Sequence, residues 1–194
     1  VSTKARRSLG IGYIGLAHYL AKNGVKYSDK EAWAMVDRLS EAFQYYLLRA
    51  SCDVAEEKGK CEYFHRTKYA EGLLPIDHYK KEIDEIVPHK QRMAWETLRK
   101  DIAKHGLRHS TLSAQMPSES SSVVSNETNG IEPPRAILSI KKSKKGTLKQ
   151  VVPQYQTLKN NYTLLWDMKS NEGYINVVAM MQKYFDQAIS GNWS

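Results

Sequence analysis

Apolar residues recur at three- and four-residue steps through the stretch "SDKEAWAMVDRLSEAFQYYLLRASCDVAEEK", at Trp33, Val36, Leu39, Phe43, Tyr46, Leu47 and Ala50. That period predicts a long amphipathic helix from Ser28 to Lys58, capped by Ser28 or Asp29 and stopped by Gly59. Leu9 to Asn23 reads as a second helix in which Gly10, Gly12 and Gly15 mark close packing against a neighbour. Met93 to His105 predicts another, ended by Gly106. Between Cys61 and Pro88 the pattern is irregular, with a short helix expected near Ile76 to Val87 and aromatics that anchor the segment. Tyr155 to Met168 and Gly173 to Ser190 predict two more helices, the latter with Ile175, Val178, Ala179, Gln182, Phe185 and Ile189 in register. The run "LRHSTLSAQM" alternates as a strand does, and "AILSIKKSKKGTLKQVVP" reads as a β-hairpin closed by Pro153. Helices and strands interleave, which places the chain in the α/β or α+β class. Its few strands cannot close a barrel by themselves.

Length and composition narrow this picture. At 194 residues the chain suits one domain with a sizeable core. No apolar run approaches the roughly 20 residues a bilayer requires, so no membrane partner is expected and the reading is cytoplasmic. The start at Val1 has glycines, His18 and Tyr19 where a signal peptide would be apolar. The sequons at Asn126, Asn161 and Asn192 are then chance matches. Two cysteines, Cys52 and Cys61, fit neither a disulfide framework nor a zinc spacing and are read as free thiols. His105 and His109 straddle Gly106 and so share no metal-binding face, and no metal site is expected. The net charge of +8 raises nucleic-acid binding, but four lysines cluster in "KKSKKG", Lys141 to Gly146, as at a solvated loop tip. Without a recognition helix or an aromatic strand motif, no direct nucleic-acid binding is expected.

The candidate chemistry lies in "MPSESSSVVSNETNGIEPPR", a polar segment between two strand-like runs. A strand ends at Met116, Pro117 stops its pairing, and Ser118 can cap a short helix from about Glu119 through Val124. A strand, a turn and a helix N-terminus form an anion-site layout, because about four backbone N–H groups of a first helical turn lack partners. A self-satisfied cap would carry Glu or Gln three residues after Ser118, where this chain has Ser121. Serines 118, 120, 121 and 122 add hydroxyls, whereas the Glu119 carboxylate would repel an anion unless it turns away. A polar loop that caps a helix for its own sake remains an alternative on these residues alone.

"LRHSTLSAQMPSESSSVVSNETNGIEPPR" closely resembles the substrate-diphosphate loop of the large subunit of class I ribonucleotide reductases. The resemblance extends, in order, through "RRSLGIGYIGLAHYLAKNGVKYSD", "EAFQYYLLRAS", "YAEGLLPIDHYKKEID", "LSIKKSKKGTLKQVVPQY" and "GYINVVAMMQKYFDQAIS". It implies that residues 1–194 are a single partial domain, the C-terminal-side portion of a ten-stranded α/β barrel, with the substrate loop at 116–125. It further implies an enzyme that reduces ribonucleoside diphosphates by a thiyl-radical mechanism, and substrate diphosphate binding by Pro117, Ser118, Glu119, Ser120 and Ser121. Glu119 would then act through its main chain.

The family's radical and redox cysteines have no match here, so no catalytic residue is assigned and the isolated chain is expected to be inactive. The implied partners are the rest of the large subunit and a radical-generating small subunit. No cofactor is expected to bind this segment; the complete enzyme would need the small subunit's radical cofactor and a thioredoxin- or glutaredoxin-type reductant. Tyr45 and Tyr46 belong to a helical packing stripe, distinct from the family's radical-relay tyrosines. Trp33, Trp95 and Trp166 are expected in the core, and Asn129, Gly130, Glu132 and Pro133 at the exit from the loop. A non-catalytic nucleotide- or phosphate-binding module is the rival reading.

Overall fold

The computed structural model describes residues 2–143 and 146–192, and of residues 141–143 and 148 only the backbone. The lysine run of "KKSKKG" therefore lies outside the described side chains. The chain divides into two compact units. The first comprises Val1–Ile11, Ala34–Gln115 and Val178–Ile189, and the second Gly12–Trp33, Met116–Val177 and Ser190–Ser194.

The first unit is built on α3 (Lys30–Lys58), following α1 (Ser2–Arg6) and α2 (Leu16–Lys22) in the chain. Gly59, at φ +81°, ends α3 as the sequence predicts. Its core gathers Leu48, Cys52, Phe64, Tyr69, Trp95, Leu98, Ile102, Leu107 and Leu112. The aromatics of the irregular connection do anchor it, since Phe64 and Tyr69 are both buried. That connection holds α4 (Pro75–His78) and a 3-10 turn at Lys81–Glu85 where one short helix was expected. α5 (Trp95–His105) ends at Gly106, with φ +75°.

The inward face of α3 differs from the predicted stripe. Tyr46 is 61% exposed and Ala50 is exposed, whereas Asp37, Ser40, Glu41 and Gln44 are buried. Partners distant in sequence make this possible. Glu41 Oε1 accepts from the amides of Arg92 (2.8 Å) and Met93 (3.2 Å) and from Trp95 Nε1 (3.0 Å), while the Arg92 guanidinium bridges Asp37 and Glu41 at 2.9 Å each. Lys183, fully buried, reaches Asp37 at 2.9 Å and Asp84 at 3.1 Å, and Tyr184 Oη donates to Asp37. Buried charges persist when opposite charges are paired in this way.

Leu107 to Met116 forms no ladder. It makes isolated parallel bridges, Ile11 with Ser113 and Gln115 with Ile189. The amides of Leu112 and Ser113 go instead to the Asp186 carboxylate, at 2.9 Å each, so a side chain takes the donors a strand partner would use. Residues 9–15, expected to be helical, are not, and α2 begins only at Leu16. Gly15 lies in the left-handed region at φ +79°, and a Cβ there would meet Glu127 Oε2 at 2.7 Å. The close approach read from the glycines is therefore present at Gly15, but as a chain reversal before the helix.

The second unit contains α2, α6 (Glu119–Val124), the hairpin of β1 (Leu138–Ser143) and β2 (Gly146–Val151), α7 (Tyr155–Leu158) and the start of α8 (Glu172–Gln182). The hairpin is antiparallel with Leu138 opposite Val151, as its two β-branched runs predict, and is the only sheet among the described residues. Tyr155 to Met168 breaks after Leu158 and resumes as a 3-10 turn at Leu165–Asp167. Asn161 turns its amide to the Ala21 carbonyl and Tyr162 Oη donates to the Pro153 carbonyl, pulling the chain out of helix. Trp166 is 66% exposed rather than core. α8 stops at Gln182, and its buried large hydrophobic residues are Tyr174, Val177, Met180 and Met181, with Ile175 at the surface.

The chain following α6 is fastened from several directions. Thr128 and Gly130 carbonyls accept from the amides of Gly15 and Leu16, and the Ile131 carbonyl accepts from Tyr27 Oη at 2.7 Å. The Leu165 amide reaches the Pro134 carbonyl, and Gln150 Nε2 reaches the Glu127 carbonyl. Tyr27 is in turn packed edge-on against Tyr174.

Candidate functional site

α6 occupies Glu119–Val124 with Ser118 as N-cap, the bounds the sequence predicts. No side chain caps it. Ser118 adopts φ −131° and ψ 36°, a geometry in which its hydroxyl misses the first-turn amides. The amides of Glu119, Ser120 and Ser121 have no acceptor among the described residues. Pro117 has no N–H, so it ends the preceding pairing without adding a donor.

The four serines divide by role. Ser122 turns inward, is buried and donates to the Glu119 carbonyl at 2.9 Å, so its hydroxyl is spent within the helix. Ser120 and Ser121 are exposed. Ser118 is only 5% exposed, yet its Oγ has no hydrogen-bond partner among the described residues. A buried hydroxyl without a partner costs about 1–3 kcal/mol. The Ser118 amide donates to Asn129 Oδ1 at 3.3 Å.

Pro117 to Ser121, Asn129 and Asn192 line a pocket of ≈ 390 Å³. Asn129 Nδ2 donates to Glu132 Oε2 at 3.2 Å, and Glu132 Oε1 accepts from the amide (3.2 Å) and side chain (2.6 Å) of Asn192. Gly130, at φ +51°, provides the turn between Asn129 and Glu132, as predicted. A second cavity of ≈ 590 Å³ shares Glu119 and Asn129 and continues along Glu132 to Arg135 and the hairpin. Sequence reasoning placed Asn129 and Glu132 at the exit from the loop and treated Asn192 as a chance sequon. No local signal joins Asn192 to a residue sixty positions earlier.

The other candidates are structural. Cys52 and Cys61 are free and buried, and burial pushes both thiols up from their ordinary value, which disfavours the nucleophilic thiolate. Tyr45 packs edge-on against both Trp95 and Tyr46. His109 Nδ1 lies 3.0 Å from Ser51 Oγ, and its pKa is lowered by burial and by Arg108 and Arg7. His105 faces Glu56 at 3.6 Å. No group of three or more potential metal ligands occurs among the described residues, and none of the described helices is long and apolar enough to cross a membrane.

The family model described as ribonucleotide reductase, barrel domain, matches residues 1–193. The chain is 60% identical over 191 residues to the ribonucleoside-diphosphate reductase subunit alpha of Haemophilus influenzae, covering 98% of this chain and 25% of that protein. Against the ribonucleoside-diphosphate reductase 1 subunit alpha of Escherichia coli it is 56% identical over 187 residues, covering 96% of this chain and 25% of that one. The subunit alpha of Enterobacteria phage T4 is 45% identical over 191 residues, with 97% and 25% covered. The chain thus spans about a quarter of the length of these relatives.

Proposed function

Because the chain belongs to the ribonucleotide reductase barrel-domain family, we propose that it is the C-terminal-side portion of a ten-stranded reductase barrel and supplies the cradle for the diphosphate of a ribonucleoside diphosphate. The observation that carries this reading is the set of open amides at Glu119, Ser120 and Ser121, beside the unpartnered Ser118 hydroxyl in one pocket. Donors left unpaired by the protein are donors available to phosphate oxygens.

The chain's contribution is positional. Amides and the Ser118 hydroxyl hold the diphosphate, and the nucleoside is thereby aimed so that the ribose 3′-hydrogen faces a thiyl sulfur carried on other sequence of the subunit. Such placement is worth several kcal/mol of a reaction barrier, roughly 7–11 at most. Glu119 takes part through its amide. Its carbonyl is engaged by Ser122, and its side chain lies along the wall shared by the two cavities. A thioredoxin- or glutaredoxin-type protein would return electrons to redox cysteines on the remaining part of the large subunit. The compartment proposed for the complete enzyme is the cytoplasm.

The test is reduction of a ribonucleoside diphosphate by the complete large subunit containing these residues, assayed with its small subunit. Ser121→Phe places a bulky ring at the mouth of the cradle and should lower kcat/KM at least about a hundredfold, the scale of losing oriented phosphate donors. Unchanged kcat/KM would refute the assignment.

A further inference from the structure

A line of hydrogen bonds runs away from the cradle, from the Ser118 amide to Asn129 Oδ1, from Asn129 Nδ2 to Glu132 Oε2, and from Asn192 Nδ2 and N to Glu132 Oε1. Its direction is determined by chemistry. A carboxylate only accepts, so Glu132 must face the Asn129 amino group, which leaves Oδ1 turned to the Ser118 N–H. Glu132 is anchored by two donors of Asn192, and the turn between Asn129 and Glu132 is closed by the Glu132 amide to the Asn129 carbonyl and by Gly130 at φ +51°.

We infer that Asn129, held by Glu132 and Asn192, is a positioning residue that sets the diphosphate loop in its binding geometry before substrate arrives. The inference rests on the reading of residues 117–121 as the diphosphate cradle. By taking the Ser118 amide, Asn129 fixes the N-cap at φ −131° and ψ 36°, where the Ser118 hydroxyl is buried without a partner and lines the same pocket. The following three amides then have no acceptor among the described residues. Without Asn129 the loop has a fourth free amide and no anchor, and ordering it becomes a cost charged to substrate binding. The effect is expected in affinity for the diphosphate rather than in the chemical step.

The experiment uses the complete large subunit with its small subunit and reads KM and kcat for a ribonucleoside diphosphate, with inorganic pyrophosphate as a competitive inhibitor that reports the cradle alone. Asn129→Ala should raise both KM and the pyrophosphate inhibition constant about tenfold while kcat stays within about twofold. Asn129→Asp keeps the acceptor for Ser118 but sets two carboxylates against each other, and should weaken both constants further. Adding Glu132→Gln to it restores a donor and acceptor pair, with the introduced amide still accepting from Asn192, and should recover a large part of that loss. The cycle from N129D to N129D/E132Q decides the matter even if Asn129→Ala fails to fold, because a general packing role predicts that the second substitution adds damage. Unchanged constants for Asn129→Ala alongside raised constants for Ser121→Phe would overturn the positioning role and leave the cradle standing. Unchanged constants for both would overturn the cradle and this inference with it.

Discussion

The carboxylates buried on α3 and the donors of the loop at 117–121 resolve their polarity in opposite ways. On α3 every carboxylate oxygen of Asp37 and Glu41 has a protein partner, drawn from Arg92, Met93, Trp95, Lys183 or Tyr184. At the loop, three amides and one buried hydroxyl have none among the described residues. A closed polar network holds a fold together, whereas an open one leaves a binding deficit for a ligand to fill.

The largest effect should come from opening the closed region. Glu41→Ala leaves Arg92 and Trp95 Nε1 without their shared acceptor, and should cost about 3–5 kcal/mol in chemical unfolding of the subunit, as when a buried ion pair loses one member. A loss below about 1 kcal/mol would mean that water or a neighbour closes the gap. Burial pushes the Glu41 carboxyl up, but bonds from Arg92, Trp95 and Met93 outweigh it and hold its pKa below the ordinary value. Its stabilisation is therefore complete above the ordinary carboxylate pKa and is lost as pH falls through the lowered folded value.

Asp186→Asn comes next, at about 1–3 kcal/mol, since four donors from Leu112, Ser113 and Tyr69 converge on a carboxylate and an amide can accept on only one atom. Here the pH slope has the other sign. Burial raises the Asp186 pKa despite bonds from Tyr69, Leu112 and Ser113, so this group costs stability as pH rises from its ordinary value through the raised folded one. The asparagine variant should flatten that decline in a plot of unfolding free energy against pH; an unchanged slope would assign the decline to another group.

The smallest effect on stability belongs to the open region. Ser120 is exposed and its hydroxyl has no partner among the described residues, so Ser120→Ala should change unfolding free energy by no more than about 0.5 kcal/mol. Its substrate KM should rise about twofold to fivefold, the worth of one exposed hydrogen bond to a charged group. A marked loss of stability with no change in KM would reverse the comparison.

Local signals in the sequence were sufficient for α6 and its uncapped first turn, and insufficient for Asn192 in the pocket wall and for the face set against the loop in this contrast. The cap at Ser118, the bounds of α6 and the absence of a capping Glu or Gln are read within four residues, and the hairpin within eighteen. The α3 stripe failed because apolar periodicity counts Tyr46 as core and Asp37 as surface, while the groups that satisfy Asp37 lie at Arg92 and Lys183. The strand expected at Leu107 to Met116 failed for a related reason. Its alternation was real, but the Asp186 carboxylate takes its donors. Trp166 was placed in the core by a helix that stops at Leu158.

The most direct test is a structure of the complete large subunit with a bound ribonucleoside diphosphate. Phosphate oxygens should lie within about 2.7–3.2 Å of the amide nitrogens of Glu119, Ser120 and Ser121, with Ser118 Oγ also engaged. A diphosphate seated elsewhere, with those three amides facing bulk water, would contradict the account.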